Sequence, residues 1–174
     1  MNNNDGIERH IISVLVDNEP GVLARVIGLF SGRGYNIESL TVAEVEGKLG
    51  LSRISIVTSG TPMVIEQIKS QLARLVPIHS VRDLTEMGAA IERELALVKI
   101  INEGKNRIEA LRIADTFRAR TLDSTLDSFV FEVTGNSSKV AAFIDLMQSL
   151  GDVEIARTGV SAISRGNRID LTAK

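Results

Sequence analysis

The chain has no cysteine and no tryptophan, and histidine is scarce. Without cysteine there can be no disulfide, no thiolate metal site and no cysteine nucleophile, which fits a reducing compartment. The two histidines, His10 and His79, fall in different predicted strands. A transition-metal site or a Ser-His or Cys-His catalytic pair therefore has little support. We expect neither catalytic residues nor metal ligands.

Charge and hydropathy argue against further classes. The 20 Lys and Arg nearly balance the 22 Asp and Glu, so a net charge of -2 draws the chain neither to nucleic acid nor to an anionic membrane. Residues 1–6 do not resemble a secretory signal, and no apolar run approaches the roughly 20 residues of a membrane span. With 44% hydrophobic residues the chain can bury a core. The sequence predicts a soluble, cytoplasmic protein that binds no nucleic acid.

The predicted elements follow the order βαββαβ twice. This order is the split βαβ, ferredoxin-like arrangement of α+β proteins, an antiparallel four-stranded sheet with both helices on one face. We predict one module at residues 9–85 and a second at 92–166, with flexible ends at 1–8 and 167–174. The halves show no convincing residue-by-residue similarity, so an internal duplication is unproven.

Hydrophobic periodicity and turn residues predict the individual elements. In the first half they are a strand at 10–16, a helix beginning at Pro20, a hairpin of strands 35–42 and 51–58 turning at 46–50, a helix capped by Thr61, and a strand at 78–84. In the second half they are strands at 93–101, 121–126, 129–133 and 153–163, a helix at 106–118, and a helix capped by Ser137 or Ser138. An apolar face is predicted for each of the four helices. In chain order these are Val22, Leu23, Val26, Ile27 and Phe30; Val64, Ile65, Ile68, Leu72 and Leu75; Ile108, Leu111, Ala114 and Phe117; and Val140, Phe143, Ile144, Met147 and Leu150.

Residues 17–26 carry the strongest candidate for a binding site, because a strand passes there through a polar turn into a helix. Pro20 suits the first helical position, and Asn18 or Glu19 can cap the helix. Gly21 has no Cβ, so a ligand carboxylate could approach the helix N-terminus, where the dipole favours negative charge. The amides that would receive it belong to Gly21, Val22 and Leu23. An ordinary strand-to-helix connection is the alternative that this local pattern favours by itself.

Other nucleotide and RNA motifs are poorly matched. The glycine-rich residues 28–34 end a helix and lack the Gly-Lys-Ser/Thr of a phosphate loop. An RNA-recognition sheet stacks bases on aromatic side chains of its central strands, and residues 11–16 and 51–58 contain none. A basic cluster in the second half is more typical of a solvated helix face, and if functional it would contact a protein. It comprises Lys105, Arg107, Arg112, Arg118 and Arg120.

Residues 13–42 closely resemble the small regulatory subunits of acetolactate synthase, also called acetohydroxyacid synthase. The likeness continues through residues 51–53, 92–100 and 156–166, and so covers nearly the whole chain. Its specific element is the combination of Asn18-x-x-Gly21 with the run Gly-Tyr-Asn-Ile-Glu-Ser at 34–39. The first module resembles an ACT domain, a ferredoxin-like fold that binds amino acids as feedback effectors. The second resembles the C-terminal module of this family.

The resemblance implies an effector site between the ACT domains of a homodimer. Asn18, Gly21, Val22 and Leu23 of one protomer and Asn36 and Ile37 of the other would hold the effector, usually valine. The amides would take its carboxylate, the two asparagines its polar groups, and apolar side chains its isopropyl group. One methylene changes affinity by only about 1 to 3 kcal/mol, so the sequence leaves valine, isoleucine and leucine open, and the family favours valine.

The resemblance further implies a non-catalytic subunit in branched-chain amino acid biosynthesis. It would activate the catalytic (large) subunit and confer valine inhibition. Thiamine diphosphate, Mg²⁺ and FAD would belong to that catalytic partner, with no cofactor in this chain. A free-standing amino-acid-binding regulator of transcription or RNA is the alternative function. An autonomous enzyme is a third, for which the sequence offers no nucleophile and base constellation.

Overall fold

The computed structural model describes residues 6–45, 50–88 and 90–167. The predicted hairpin turn, apart from Gly50, and most of the two predicted flexible ends lie outside these residues. The chain divides into two compact units, the first formed by residues up to Ile91 together with those from Val160 onward, and the second by Glu92–Gly159. Among the described residues, no helix is long and apolar enough to cross a membrane.

The first unit contains a ferredoxin-like module. Its elements are β1 (Glu8–Asp17), α1 (Val22–Arg33), β2 (Ser39–Glu44), β3 (Leu51–Gly60), α2 (Pro62–Leu72) and β4 (Ile78–Asp83). The antiparallel sheet has the order β2-β3-β1-β4, so β1 and β3 are central and β2 is an edge strand. Alternate residues of β1, Ile12, Val14 and Val16, pack against both helices in one core, as the period of a strand requires. The predicted fold class is confirmed for this half.

Helix α1 begins later than predicted. Its first residue is Val22 and its N-cap is Gly21 in the left-handed conformation, with φ of 87° and no side-chain cap. Pro20 therefore lies before the helix, and neither predicted cap, Asn18 or Glu19, caps it. Glycine adopts this φ without the steric cost that a Cβ brings, so the chain turns into the helix at Gly21. The predicted start at Pro20 was too early because proline is common at the first helical position.

Two residues of α1 face away from the core, contrary to the predicted inward face. Leu23 and Ile27 are 38% and 39% exposed, whereas Val22, Val26 and Phe30 are buried. The buried residues are spaced by four and form one narrow stripe, and Leu23 and Ile27 lie beside it. Strand β2 also differs from prediction, because it begins at Ser39 and leaves Asn36 in the loop before it.

The opposite face of the first sheet is covered by chain that follows the second unit. Val160 and Ala162 are 2% and 3% exposed and pack with Ile11, Val57 and Leu84. We call residues 160–163, which include the short strand β9 (Ser161–Ile163), the returning segment. The sequence assigned this segment to the second module at 92–166, whereas its packing places it in the first unit. No local pattern distinguishes the two, because the apolar residues would suit either sheet.

The second unit repeats the order of elements. These are β5 (Ile91–Ile101), α3 (Gly104–Thr116), β6 (Arg120–Ser124), β7 (Ser128–Gly135), α4 (Ser137–Gln148) and β8 (Asp152–Arg157). The strand order along the sheet is β6-β7-β5-β8. Its core contains Phe131, Val140 and Phe143, all 0% exposed, and Phe131 meets Phe143 edge to face at 6.2 Å between centroids. This half also confirms the ferredoxin-like prediction.

The helices of the second unit correct three details. Helix α3 buries Ala110, Ile113 and Ala114, whereas Ile108 and Leu111, predicted inward, are 71% and 43% exposed. Small alanines let the helix backbone approach its neighbours closely, so the buried stripe is not the most hydrophobic one. Helix α4 is capped by Asn136, whose Oδ1 accepts the N–H of Lys139 at 3.0 Å, not by a serine. The predicted closing strand 153–163 is interrupted after Arg157, where β8 ends.

Candidate functional site

The N-terminus of α1 presents backbone donors at the surface. The N–H of Arg25 makes the first intrahelical bond, to the carbonyl of Gly21 at 3.1 Å, and the N–H of Val22 donates at 3.4 Å to Glu19. In the described part of the chain, the amides of Gly21, Leu23 and Ala24 have no acceptor. These donors and the positive end of the helix dipole suit a carboxylate. Ala24, which the sequence did not name, is one of them.

The position of Gly21 leaves this end of the helix open. Among the described residues, a Cβ on Gly21 would have no atom within 4 Å, and Gly21 itself is exposed. No described residue therefore blocks the approach of an anion to these amides. Val22 holds the first turn of α1 against the sheet, because its side chain is buried in the core between them.

Asn18 is held at both its backbone and its side chain. Its N–H donates to the carbonyl of Gly50 at 2.7 Å, and its Nδ2 donates to Oε1 of Glu44 at 2.5 Å. A carboxylate only accepts hydrogen bonds, so the amide nitrogen of Asn18 must face Glu44. Oδ1 of Asn18 is then left as an acceptor. The pair offers a hydrogen-bond acceptor and a negative charge, which together suit an ammonium group.

Several carboxylates surround this turn. Asp17 lies immediately before Asn18 and its Oδ1 is 2.6 Å from Nε2 of His79 in β4. Glu19 follows in the exposed turn, and Glu44 ends β2. The helix end therefore attracts an anion while the side chains around it attract a cation. A zwitterion such as a free α-amino acid carries both charges on neighbouring atoms.

The two predicted halves of the site lie apart within one chain. Asn36 and Ile37 follow the C-terminus of α1, and a helix of twelve residues is about 18 Å long. Asn36 is exposed, and its carbonyl accepts the hydroxyl of Thr58 at 2.7 Å. The structure thus brings Asn18, Gly21, Val22 and Leu23 together and leaves Asn36 and Ile37 at the other end of the helix. Within one chain, these two groups of residues therefore do not form a single site.

A group of side chains with metal-ligand chemistry occurs elsewhere in the first unit. Ligand atoms of His10, Asp83 and Glu86 lie within 4.8 Å of one another. Nδ1 of His10 is 2.7 Å from Oδ2 of Asp83, whose Oδ1 accepts the amides of Thr85 and Glu86. Lys69 donates to Glu86 at 2.7 Å. Protein groups therefore already satisfy both carboxylates, and the cluster acts as a tie between β1 and the turn after β4.

Members of the predicted basic cluster have structural roles. Arg107 stacks on Phe129 with its guanidinium carbon 3.8 Å from the ring centroid, and it donates to the carbonyl of Thr125. Arg112 pairs with Glu109 and Arg120 with Glu132. The hydrogen bond between Arg112 and Glu109 raises the pKa of Arg112 and lowers the pKa of Glu109. These contacts favour a structural role over a recognition surface.

Two family models match the chain. Residues 12–80 match an acetohydroxyacid synthase small subunit-like ACT domain, and residues 93–166 match the small subunit of acetolactate synthase. A protein of Archaeoglobus fulgidus described as a probable acetolactate synthase small subunit is 49% identical over 92% of this chain and 99% of its own length. The chain belongs to the family of acetolactate synthase small subunits.

Further members of the family agree over the same length. The acetolactate synthase isozyme 3 small subunit of Escherichia coli is 46% identical across 92% of this chain and 98% of the relative. The crystal structure of the acetolactate synthase small subunit from Thermotoga maritima superposes with a TM-score of 0.82 at 40% identity, covering 92% of this chain and 99% of that one. The resemblance found in the sequence is confirmed, together with the ACT domain and the ferredoxin-like fold.

Glu44 is a candidate site residue that sequence reasoning missed. It lies outside the Asn-x-x-Gly turn and twenty-six positions after Asn18, so no local spacing connects the two. The contact arises because β3 pairs with both β1 and β2. The last residues of β1 and β2 therefore lie beside the first residues of β3, at the same end of the sheet. The predicted order of strands in a ferredoxin-like sheet could have suggested this contact, because it places the acidic residue at the end of β2 near the end of β1.

Proposed function

We propose that this chain is the regulatory subunit of an acetolactate synthase. It binds the thiamine-diphosphate-dependent catalytic subunit, raises its activity and makes it sensitive to inhibition by valine. Family membership over nearly the whole chain is the observation that carries this proposal. The chain itself has no catalytic role in the proposal, and thiamine diphosphate, Mg²⁺ and FAD are held by the catalytic partner.

The geometry around α1 supports an amino acid as the effector. In the proposal its carboxylate accepts hydrogen bonds from the free amides at Gly21 and Leu23. Its ammonium group donates to Oδ1 of Asn18 and faces the carboxylate of Glu44. Because the two charged groups of an α-amino acid are separated by one carbon, a single ligand can span from the helix end to the neighbouring pair.

A homodimer completes the site. Leu23 and Ile27 on α1 are partly exposed, as is Val42, at 44%, on the edge strand β2. Val42 is on the same sheet face as Leu40, which packs against the core beneath the helices. We propose that these apolar residues contact a second copy, whose Asn36 and Ile37 then lie over the open helix end. Apolar contact removes exposed surface from water and encloses the effector side chain.

Regulation requires that the effector favour one arrangement of the subunits over another. Equal affinity for an active and an inhibited arrangement would shift neither, and measured couplings are typically about 1 to 3 kcal/mol. A site divided between two protomers meets this condition, because it is complete only in arrangements that bring both halves together. The effector then stabilises those arrangements.

Reconstitution with the catalytic subunit tests this function. The catalytic subunit alone, and with this chain, is assayed for acetolactate formation across a series of L-valine concentrations. We expect higher activity with this chain and inhibition by L-valine only in its presence. D-valine and L-alanine serve as controls for stereochemistry and side-chain size. Unchanged activity in the presence of a stoichiometric, folded chain would reject the regulatory role.

A regulator of transcription or RNA has less support. The central strands β1 and β3 present no aromatic side chain, and the sheet face opposite the helices is covered by Val160 and Ala162. In the second unit, Phe129 and Phe131 of the central strand β7 are 3% and 0% exposed. Base stacking needs accessible rings, so neither sheet offers the platform of an RNA-recognition module.

A further inference from the structure

The returning segment is bonded to the strand that follows half of the proposed effector site. The N–H of Val160 donates to Oγ of Ser39 at 2.7 Å, and Oγ1 of Thr41 donates to the carbonyl of Val160 at 3.0 Å. Ser39 and Thr41 are alternate residues of β2, so both hydroxyls emerge from one face of the strand. One residue of the returning segment therefore has both backbone groups held by β2.

Burial makes these hydrogen bonds costly to lose. Val160 and Ala162 are 2% and 3% exposed, in a cluster with Ile11, Val57 and Leu84. A buried backbone group deprived of its partner loses its hydrogen bond without regaining water. The side chains of Val160 and Ala162 thus hold the returning segment against the face of the sheet. The hydroxyls of Ser39 and Thr41 hold the same segment against the edge strand β2.

Strand β2 has few other restraints on its position. It is the edge strand, its one strand partner among the described residues is β3, and its last three residues are exposed. Edge strands with few buried contacts open at lower free energy than the central strands of a sheet. The loop before β2 is fixed at Asn36 by Thr58 and at Glu38 by the carbonyl of Val57, which accepts at 2.8 Å. From Ser39 onward β2 is held by its pairing with β3 and by the side-chain bonds of Ser39 and Thr41 to Val160.

We propose that Ser39 and Thr41 are positioning residues of the effector site, acting through the returning segment. By holding β2 they set the place of Asn36 and Ile37 before it and of Glu44 at its end. The inference rests on the proposed function, because these three residues are site residues only if the effector binds there. The same hydrogen bonds, together with the apolar packing of Val160 and Ala162, hold this part of the chain in the first unit.

Reciprocity follows from this arrangement. If an ordered returning segment favours effector binding, then effector binding orders the returning segment by the same free energy. Val160 is joined covalently to Gly159, the last residue of the second unit. Occupancy of a site in the ACT domain is thereby linked to the stretch of chain that leaves the second unit.

The test compares wild type with the double variant Ser39→Ala/Thr41→Val, which removes both hydroxyls at nearly constant volume. Thr41→Ser is the matched control, because it keeps the donor and loses only a methyl group. Calorimetric titration with L-valine gives the affinity, and hydrogen-deuterium exchange followed by mass spectrometry reports on the amides of residues 160–163. Thermal unfolding establishes that each variant is folded.

We expect the double variant to bind L-valine at least fivefold more weakly and to exchange faster at residues 160–163. Thr41→Ser should remain within twofold of wild type, and L-valine should slow exchange of this segment in wild type. A folded double variant with wild-type affinity overturns the inference, as does an equal loss of affinity in Thr41→Ser. A wild-type chain that binds no branched-chain amino acid overturns the proposed effector site itself, which separates the two failures.

Discussion

Replacing Gly21 with aspartate is the most direct test of the proposal that the N-terminus of α1 binds the carboxylate of the effector. The backbone there has φ of 87°, and a Cβ added at this position would have no atom within 4 Å, so the cost to folding is conformational rather than steric. A residue with a Cβ in the left-handed region costs about 1 to 2 kcal/mol, and aspartate and asparagine tolerate it better than most. Against a typical stability of about 5 to 15 kcal/mol, the variant should fold.

The effect on binding comes from charge. Two unit charges about 4 Å apart repel by about 1 kcal/mol in water and about 4 kcal/mol at the effective dielectric of a protein surface. Since about 1.4 kcal/mol corresponds to a factor of ten, the carboxylate introduced by Gly21→Asp should weaken valine binding between about fivefold and about a thousandfold. Gly21→Asn has nearly the same size and shape without the charge, and isolates the contribution of volume.

Gly104 provides a control for backbone strain. It opens α3 with φ of 57° and also has no atom within 4 Å of an added Cβ. Gly104→Asp therefore imposes the same kind of strain and the same charge at another helix N-terminus. Titration calorimetry with L-valine, and inhibition of the reconstituted enzyme, should show loss of response in Gly21→Asp only, with activation retained. Equal valine affinities for Gly21→Asp and Gly21→Asn would refute binding of the carboxylate at the N-terminus of α1.

Three further predictions concern the ammonium group, the second core and alkaline pH. Glu44→Gln should weaken the binding of L-valine by about tenfold and leave unchanged the binding of the 2-hydroxy acid with the same carbon skeleton, measured by competition. Glu66→Gln, which removes the same charge elsewhere, is the control. Equal effects on both ligands would contradict recognition of the ammonium group. Phe143→Ala, at a residue 0% exposed, should lower the free energy of unfolding by about 3 to 5 kcal/mol, whereas Leu146→Ala, at 41% exposure on the same helix, should cost far less in denaturant titrations. Burial of Lys69 alone lowers the pKa of its ammonium, but hydrogen bonds to Glu66 and Glu86 outweigh it and raise that pKa above 10.5. The stability difference between wild type and Lys69→Met should therefore be constant from neutral pH to pH 10.5 and shrink as pH rises through the raised pKa. A difference that does not change in this alkaline range would argue against these pairs.

The order of elements was predictable because each depends on local pattern. β-branched runs such as residues 11–16 mark strands, and Thr61 before Pro62 marks the start of α2, where the Thr61 hydroxyl accepts the amide of Val64. The left-handed glycine before α1 was not foreseen, because several turn geometries are compatible with Asn-Glu-Pro-Gly. The helix start then depends on which geometry lets Val22 enter the core.

The inward face of a helix was less predictable than its existence. The hydrophobicity of Ile108 and Leu111 predicted that both lie on the buried face of α3. That face is instead formed by Ala110, Ile113 and Ala114. On α1, Leu23 and Ile27 were likewise expected inside. Periodicity specifies a stripe only to within its width, and the distance between helix and sheet decides whether small or large residues fill the interface.

By itself the sequence determined the ferredoxin-like class and the family, because the patterns that encode them are local. The stretch from Asn18 to Leu23 stays a predicted site. Only the tertiary structure decided that Asn18 meets Glu44 and that Val160 returns to the first sheet beside Ser39 and Thr41. The hydrogen bonds among them join residues 26 to 121 positions apart. Strand order and register bring such residues together, and neither is readable from the spacing of residues along the chain.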